Sequence, residues 1–180
     1  MSRDSQRDDP YDVAVIGAGV VGCAIARELA RCEVSAVVLE RSGDVGNGTS
    51  KANTAILHTG FDCVPGSLES SLVSRGYHLL GAYAEATGIA IERTGGILVA
   101  WDEEQQAALA SLREKAEKNG YNETQILSAT EVRDREPNLG EGVRGGLAVP
   151  GESIICPWST VLAYALEAAT AGAVSYTHLG

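Results

Sequence analysis

An α/β fold, opening with a βαβ portion on a parallel sheet and continuing into the start of a mixed α+β portion, is predicted by three observations. A short apolar run, Val13 to Ile16, leads through a glycine-rich turn into a helical stretch from about Val20 to Arg31. A second apolar run from Val34 to Leu39 follows, and strand, helix, strand in about thirty residues is a βαβ unit with parallel strands and a right-handed crossover. After about residue 90 the order changes to short strands mixed with helices, so the chain leaves the first sheet for a second layer.

Later elements follow from local signals. "PGSLESSLVSRGYHLLGAYAEATG" places Leu68, Leu72, Leu79, Leu80 and Tyr83 at helical spacings, with Pro65 near the start and Gly88 as a stop, which predicts a helix packed by that face. "GGILVAW" at 95–101 reads as a strand. "DEEQQAALASLREKAEKNG" reads as a helix whose first-turn acids and last-turn bases match the macrodipole. "GLAVPGESIIC" reads as two short strands around Pro150 and Gly151, and Pro157 opens a helix to about Ala171.

Composition bounds the function. The chain has 180 residues, 44% of them hydrophobic, and a mean hydropathy of -0.01, which suits one ordinary buried core. A formal charge of -10 and a pI near 4.7 disfavour nucleic acid, whose binding rests on clustered Lys and Arg. The opening "MSRDSQRDDP" has no apolar core, so it reads as a frayed tail over residues 1–10 and not as a signal peptide or anchor. No window approaches the roughly 18 apolar residues of a membrane span, and the expected location is the cytoplasm. Cys23, Cys32, Cys63 and Cys156 are scattered without a C-x-x-C pair, so they read as buried reduced thiols and no metal site is expected.

Gly17, Gly19 and Gly22 form G-x-G-x-x-G between the first strand and the helix. The first glycine permits the tight turn, the second lets backbone approach a pyrophosphate, and the third lets helix and strand pack closely. Free amides at the helix start and its dipole favour phosphate. Glu40 ends the second strand, where a carboxylate accepts from ribose hydroxyls and repels a 2′-phosphate, which disfavours NADP. A Rossmann-like dinucleotide site follows, open at this point between NAD and FAD. An NAD dehydrogenase usually continues into another helix and strand of the same sheet; here "RSGDVGNGTSKANTAILHTG" intervenes, a segment of small hydrogen-bonding groups able to wrap a larger cofactor.

"VAVIGAGVVGCAIARELA", "VLER", "GTSKANTAILHTGF" with "PGSLE", "REPNL" at 135–139 and "ICPW" at 155–158 together resemble the FAD-dependent oxidoreductases of the D-amino-acid oxidase (DAO) superfamily. Within it, the sequence is most similar to the branch of glycerol-3-phosphate dehydrogenases and L-2-hydroxyglutarate dehydrogenases or oxidases, over roughly residues 11–173. The resemblance implies that Gly17, Gly19 and Gly22 take the FAD pyrophosphate, Glu40 the adenosine ribose, and that Arg41 lies beside the adenosine. It implies that Thr49, Ser50 and Asn53 line the phosphates and flavin side, and that His58 and Gly60 approach the isoalloxazine. Oxidation of a small hydroxylated anionic metabolite needs a base for the hydroxyl proton while hydride passes to flavin N5, and His58 has the right titration range. His58 therefore reads either as that base or as a brace for its own loop. His78 reads as structural, Lys51 as a solvated loop lysine, and Trp101 and Trp158 as packing residues.

The expected substrate is glycerol 3-phosphate ahead of L-2-hydroxyglutarate, with an amine or amino-acid oxidase of the superfamily as a further reading. The rivals are an NAD dehydrogenase and a non-catalytic dinucleotide-binding module. The electron acceptor stays open among quinone, oxygen and a partner subunit, through which the protein would sit peripherally on a membrane. The expected organisation is an FAD-binding portion at 11–90, the start of a substrate domain at 91–156, and a helix at 157–173 leading back to the FAD sheet. Residues 174–180 are expected to be a non-native tail: "VSYTHL" is also what the nucleotides GTCTCTTATACACATCT of a common transposon sequencing adapter encode. On that reading native sequence ends near Val174 and His178 has no function. The resemblance implies a two-domain parent about twice this length, so the chain is expected to be incomplete.

Overall fold

The computed structural model describes residues 10–177. Its elements run β1 (Val13–Ile16), α1 (Val20–Leu29), β2 (Ala36–Leu39), β3 (Ile56–Leu57), α2 (Leu68–Thr87), β4 (Ile91–Glu92) and β5 (Gly96–Ala100). They continue with α3 (Glu103–Lys118), β6 (Gln125–Ser128), α4 (Ala129–Arg135), β7 (Gly145–Val149), β8 (Ser153–Ile155), α5 (Pro157–Thr170) and β9 (Val174–Tyr176). The expected mixture of a parallel βαβ portion and later mixed elements is present.

Two compact units divide the chain. The first joins residues up to Thr54 with those from Cys156 onward; the second runs Ala55–Ile155. In the first, β1, β2 and β9 form a parallel sheet in the order β1-β2-β9, with Val13 opposite Ala36 and Val37 opposite Val174. Val15 and Val38 of the sheet pack with Cys23 and Ala26 of α1 and Val161 and Ala168 of α5, which buries one face. Small residues on the two helices permit that close layer. Ile16 points elsewhere and is 87% exposed.

The second unit holds two antiparallel sheets, β3-β8-β4 and β5-β7-β6. Strand β7 is central and all five of its residues are buried. Leu147 and Val149 pack with Leu109 and Ala116 of α3, while Ala148 packs with Val132 of α4, as alternation along a strand requires. Ser128 caps α4 in a capping box with Glu131, and Asp102 caps α3 through Gln105 N.

Several expectations change. Residues 55–90, grouped by sequence with the nucleotide-binding portion, cluster instead with 91–155, because β3 pairs with β8 far along the chain. The helix expected at 157–173 is α5, Pro157–Thr170, and clusters with the first unit, so it is not among the changes. Leu68, Leu72 and Leu79 are exposed and the buried residues of α2 are Ser70 and Ala84; helical spacing shows which residues share a face, not what covers it. Cys23 and Cys63 are buried, but Cys32 is exposed just past the end of α1 and Cys156 is intermediate. The stretch 174–180, expected to be a non-native tail, forms strand over Val174–Tyr176, since backbone pairing with β2 needs no side-chain period. His178 and most of the expected 1–10 tail lie outside the described residues. Among the described residues no helix is long and apolar enough to cross a membrane.

Candidate functional site

In the first unit the parallel pairing of β1 and β2 brings the turn after Ile16 to the end of β2. Gly17 N donates to Leu39 O at 2.8 Å, and Gly17 takes φ +96°, a conformation that favours glycine. Glu40 braces this turn: its Oε2 accepts from Ala18 N and its Oε1 from Ser42 N, each at 2.8 Å. Those amides, Ser42 first and Ala18 second, hold its carboxyl below the usual range. A Cβ on Gly22 would lie 1.9 Å from Gly17 O, so only glycine lets α1 start this close to the strand. The N-cap of α1 is Gly19, which has no side chain to cap the helix.

A neighbouring segment supplies what Gly19 lacks. Ser50 Oγ accepts from Val20 N at 2.9 Å, and Gly46 N donates to Ala18 O at 2.7 Å. Asn53 Nδ2 donates to Thr49 O and Ser50 O, at 2.9 and 3.1 Å, while Thr49, Asn53 and Arg41 are exposed. Lys51 is not a solvated loop lysine: its side chain is 14% exposed, pairs with Asp44 and lies 5.6 Å from the Trp158 ring centre. Nor is Trp158 simply a packing residue, for it is exposed and its Nε1 donates to Lys51 O at 3.0 Å. Neither contact is visible as a sequence motif, because 107 positions separate the pair.

A dinucleotide fits these residues. First-turn amides of α1 lack intrahelical partners, no acid sits in that turn to repel phosphate, and a Cβ at Gly17 would meet nothing within 4 Å, which leaves open space over the turn. Each Glu40 oxygen keeps a lone pair beyond its amide contact, enough to accept a ribose hydroxyl. Thus the first unit brings together Gly17, Gly19, Gly22, Glu40 and Ser50, with Thr49 and Asn53 on the same segment.

His58 and Gly60 belong to the second unit. β3 and β8 pair with Ile56 opposite Ile154 and Leu57 opposite Ser153; one step further, that register sets His58 opposite Glu152. His58 Nδ1 lies 3.2 Å from Glu152 Oε2, with the imidazole 54% exposed and the carboxylate nearly buried. Glu152 Oε1 accepts from both Thr59 N and Thr59 Oγ1 at 2.9 Å. Gly60 is buried, and Asn119 Nδ2 donates to Gly60 O, Phe61 O and Cys63 O, which fixes the segment after His58. His78 is exposed and meets the Tyr77 ring edge-on at 5.3 Å. Glu152 and Asn119 escaped the sequence reading; the available signal for Glu152 was a lone acid inside the apolar run "GLAVPGESIIC". Among the described residues no His, Cys, Asp and Glu cluster could hold a metal ion.

Comparison with known proteins agrees with this geometry. The family described as FAD dependent oxidoreductase (DAO) matches residues 12–179. A glycerol 3-phosphate dehydrogenase of Caloramator mitchellensis is 37% identical over 162 residues, covering 90% of this chain and 34% of the relative. The mitochondrial L-2-hydroxyglutarate dehydrogenase of Nematostella vectensis is 31% identical over 162 residues, covering 88% of this chain and 35% of that protein. Among solved structures, dithionite-reduced L-alpha-glycerophosphate oxidase from Mycoplasma pneumoniae with FAD bound superposes with TM-score 0.83 at 26% identity. That match covers 94% of this chain and 45% of the oxidase. The chain thus spans about a third of the length of the curated relatives it matches. With the family match running over residues 12–179, the chain belongs to the DAO family of FAD-dependent oxidoreductases.

Proposed function

We propose that the protein to which this chain belongs oxidises a small hydroxylated anionic metabolite, glycerol 3-phosphate, and that His58 takes the hydroxyl proton. Bound FAD supplies the two-electron acceptor, receiving hydride at N5. The observation that carries the reading is the His58 imidazole itself. It is half exposed, its Nδ1 is turned to a buried carboxylate, and its Nε2 is therefore the nitrogen offered to substrate. Glu40, the Gly17 to Gly22 turn and Ser50 would hold the dinucleotide end, with Thr49 and Asn53 toward its phosphates and flavin side and Arg41 beside the adenosine. Gly60, next to His58, would let backbone approach the ring.

For the substrate, the 37% identity to a glycerol 3-phosphate dehydrogenase supports the phosphorylated alcohol. The 31% identity to an L-2-hydroxyglutarate dehydrogenase supports a second reading, a 2-hydroxy acid, for which the same base would act on the same kind of hydroxyl. Anaerobic mixing of the flavin-loaded protein with each compound separates them. Loss of the oxidised-flavin absorbance with glycerol 3-phosphate alone is the expected result; loss with L-2-hydroxyglutarate alone reverses the assignment. No loss with either overturns both.

A further inference from the structure

By its residue type alone His58 can be a base or a brace, and its neighbour decides what the imidazole can do. Glu152 is 7% exposed, a position in which an unpartnered carboxylate would be expensive. Its oxygens divide their work. Oε1 takes both donors of Thr59, and Oε2 faces His58 Nδ1 at 3.2 Å. The turn carrying it is pinned from two sides, because Gly151 N donates to Tyr121 Oη at 2.6 Å and Tyr77 Oη donates to Gly151 O at 3.0 Å. A Cβ on Gly151 would fall 2.7 Å from Tyr121 Oη and 2.9 Å from Thr59 Cγ2, so the turn packs too closely there for any side chain. Everything about this carboxylate is fixed except the proton it faces.

We propose that Glu152 is a positioning residue that accepts the Nδ1–H of His58 and so holds the imidazole in the tautomer whose Nε2 is bare. A neutral imidazole donates from one nitrogen and accepts at the other, and a carboxylate accepts only. Placed opposite Nδ1, Glu152 selects the form able to take a proton at Nε2 and stabilises the cation that results. Its distance from His58 in sequence, 94 positions, is bridged by the β3–β8 register. The inference rests on the reading of His58 as the base, but the two are tested separately.

The test is nitrogen NMR of the imidazoles of the 15N-labelled chain, above the pH at which they titrate, with His58 assigned by comparison with His58→Gln. The expected wild-type spectrum shows His58 protonated at Nδ1 and unprotonated at Nε2. Glu152→Gln, which keeps the shape and loses the charge, is expected to shift the population toward Nε2–H. An Nε2–H tautomer in the wild type, or a tautomer that Glu152→Gln leaves unchanged, overturns the proposal. The wild-type measurement stands by itself if the variant does not fold. Stopped-flow flavin reduction of His58→Gln tests the base: a rate equal to wild type removes the base reading while the tautomer result still decides Glu152's hold on the ring.

Discussion

The two units build their sites by opposite means. In the first, the groups around the glycine turn are mostly backbone amides and glycines within one βαβ unit: Gly17, Ala18, Gly19, Gly22 and the acid at the end of the next strand. In the second, His58 is defined by a carboxylate 94 positions away that arrives through an antiparallel pair. The first kind of site is a spacing, and a spacing can be read from a sequence. The second kind is a register between distant strands, and nothing local encodes it.

The sharpest way to break the contrast is Gly22→Ala. If the first site depends on backbone approach, a single methyl 1.9 Å from Gly17 O forces α1 off the strand. Stability to urea should fall by about 3 kcal/mol or more, and flavin retention should be lost with it. An Ala variant that unfolds like the wild type and keeps flavin would show that the turn yields easily, and the close-approach account would be wrong.

The second site should be sensitive at side chains instead. Thr59→Val preserves shape and removes one of the donors to the buried Glu152 carboxylate. The expected loss is about 1.5–3 kcal/mol in urea unfolding, the range for hydrogen bonds to charged groups. A change within error would mean that Thr59 N and His58 suffice for the charge. This pair also measures what the sequence concealed. The βαβ unit, the glycine turn and Glu40 were legible because their periods and spacings lie within about thirty residues, whereas His58 was singled out by family resemblance and not by spacing. Glu152 was not, since its partner strands β3 and β8 are two and three residues long and carry no alternation to read. The exposed leucines of α2 failed for a related reason: a sequence shows an apolar face without showing its cover. Lys51 likewise looked solvated because Trp158 lies 107 positions away and its pairing with Asp44 forms no recognisable motif.

The smallest expected effect concerns acid, and it bears on the first site alone. Backbone amides of Ser42 and Ala18 lower the Glu40 pKa in the folded chain relative to its ordinary value. A lowered folded-state pKa means that the unfolded chain binds the proton more readily, so the stabilisation is complete above the ordinary carboxylate range, about 4.3, and fades as pH falls through the depressed value. Asp44 and Glu131 have lowered pKa values as well, the first through Lys51 and the second through Ser128, so the wild-type curve has several contributors. Glu40→Gln isolates one of them. It should be less stable than the wild type near neutrality, and the gap should close between about pH 5 and the acid end of the titration. A gap that is constant with pH would mean that the amide contacts to Ala18 and Ser42 act on shape and not on charge. In that case the first site would resemble the second more than its sequence suggests, with Glu40 serving the turn as Glu152 serves His58.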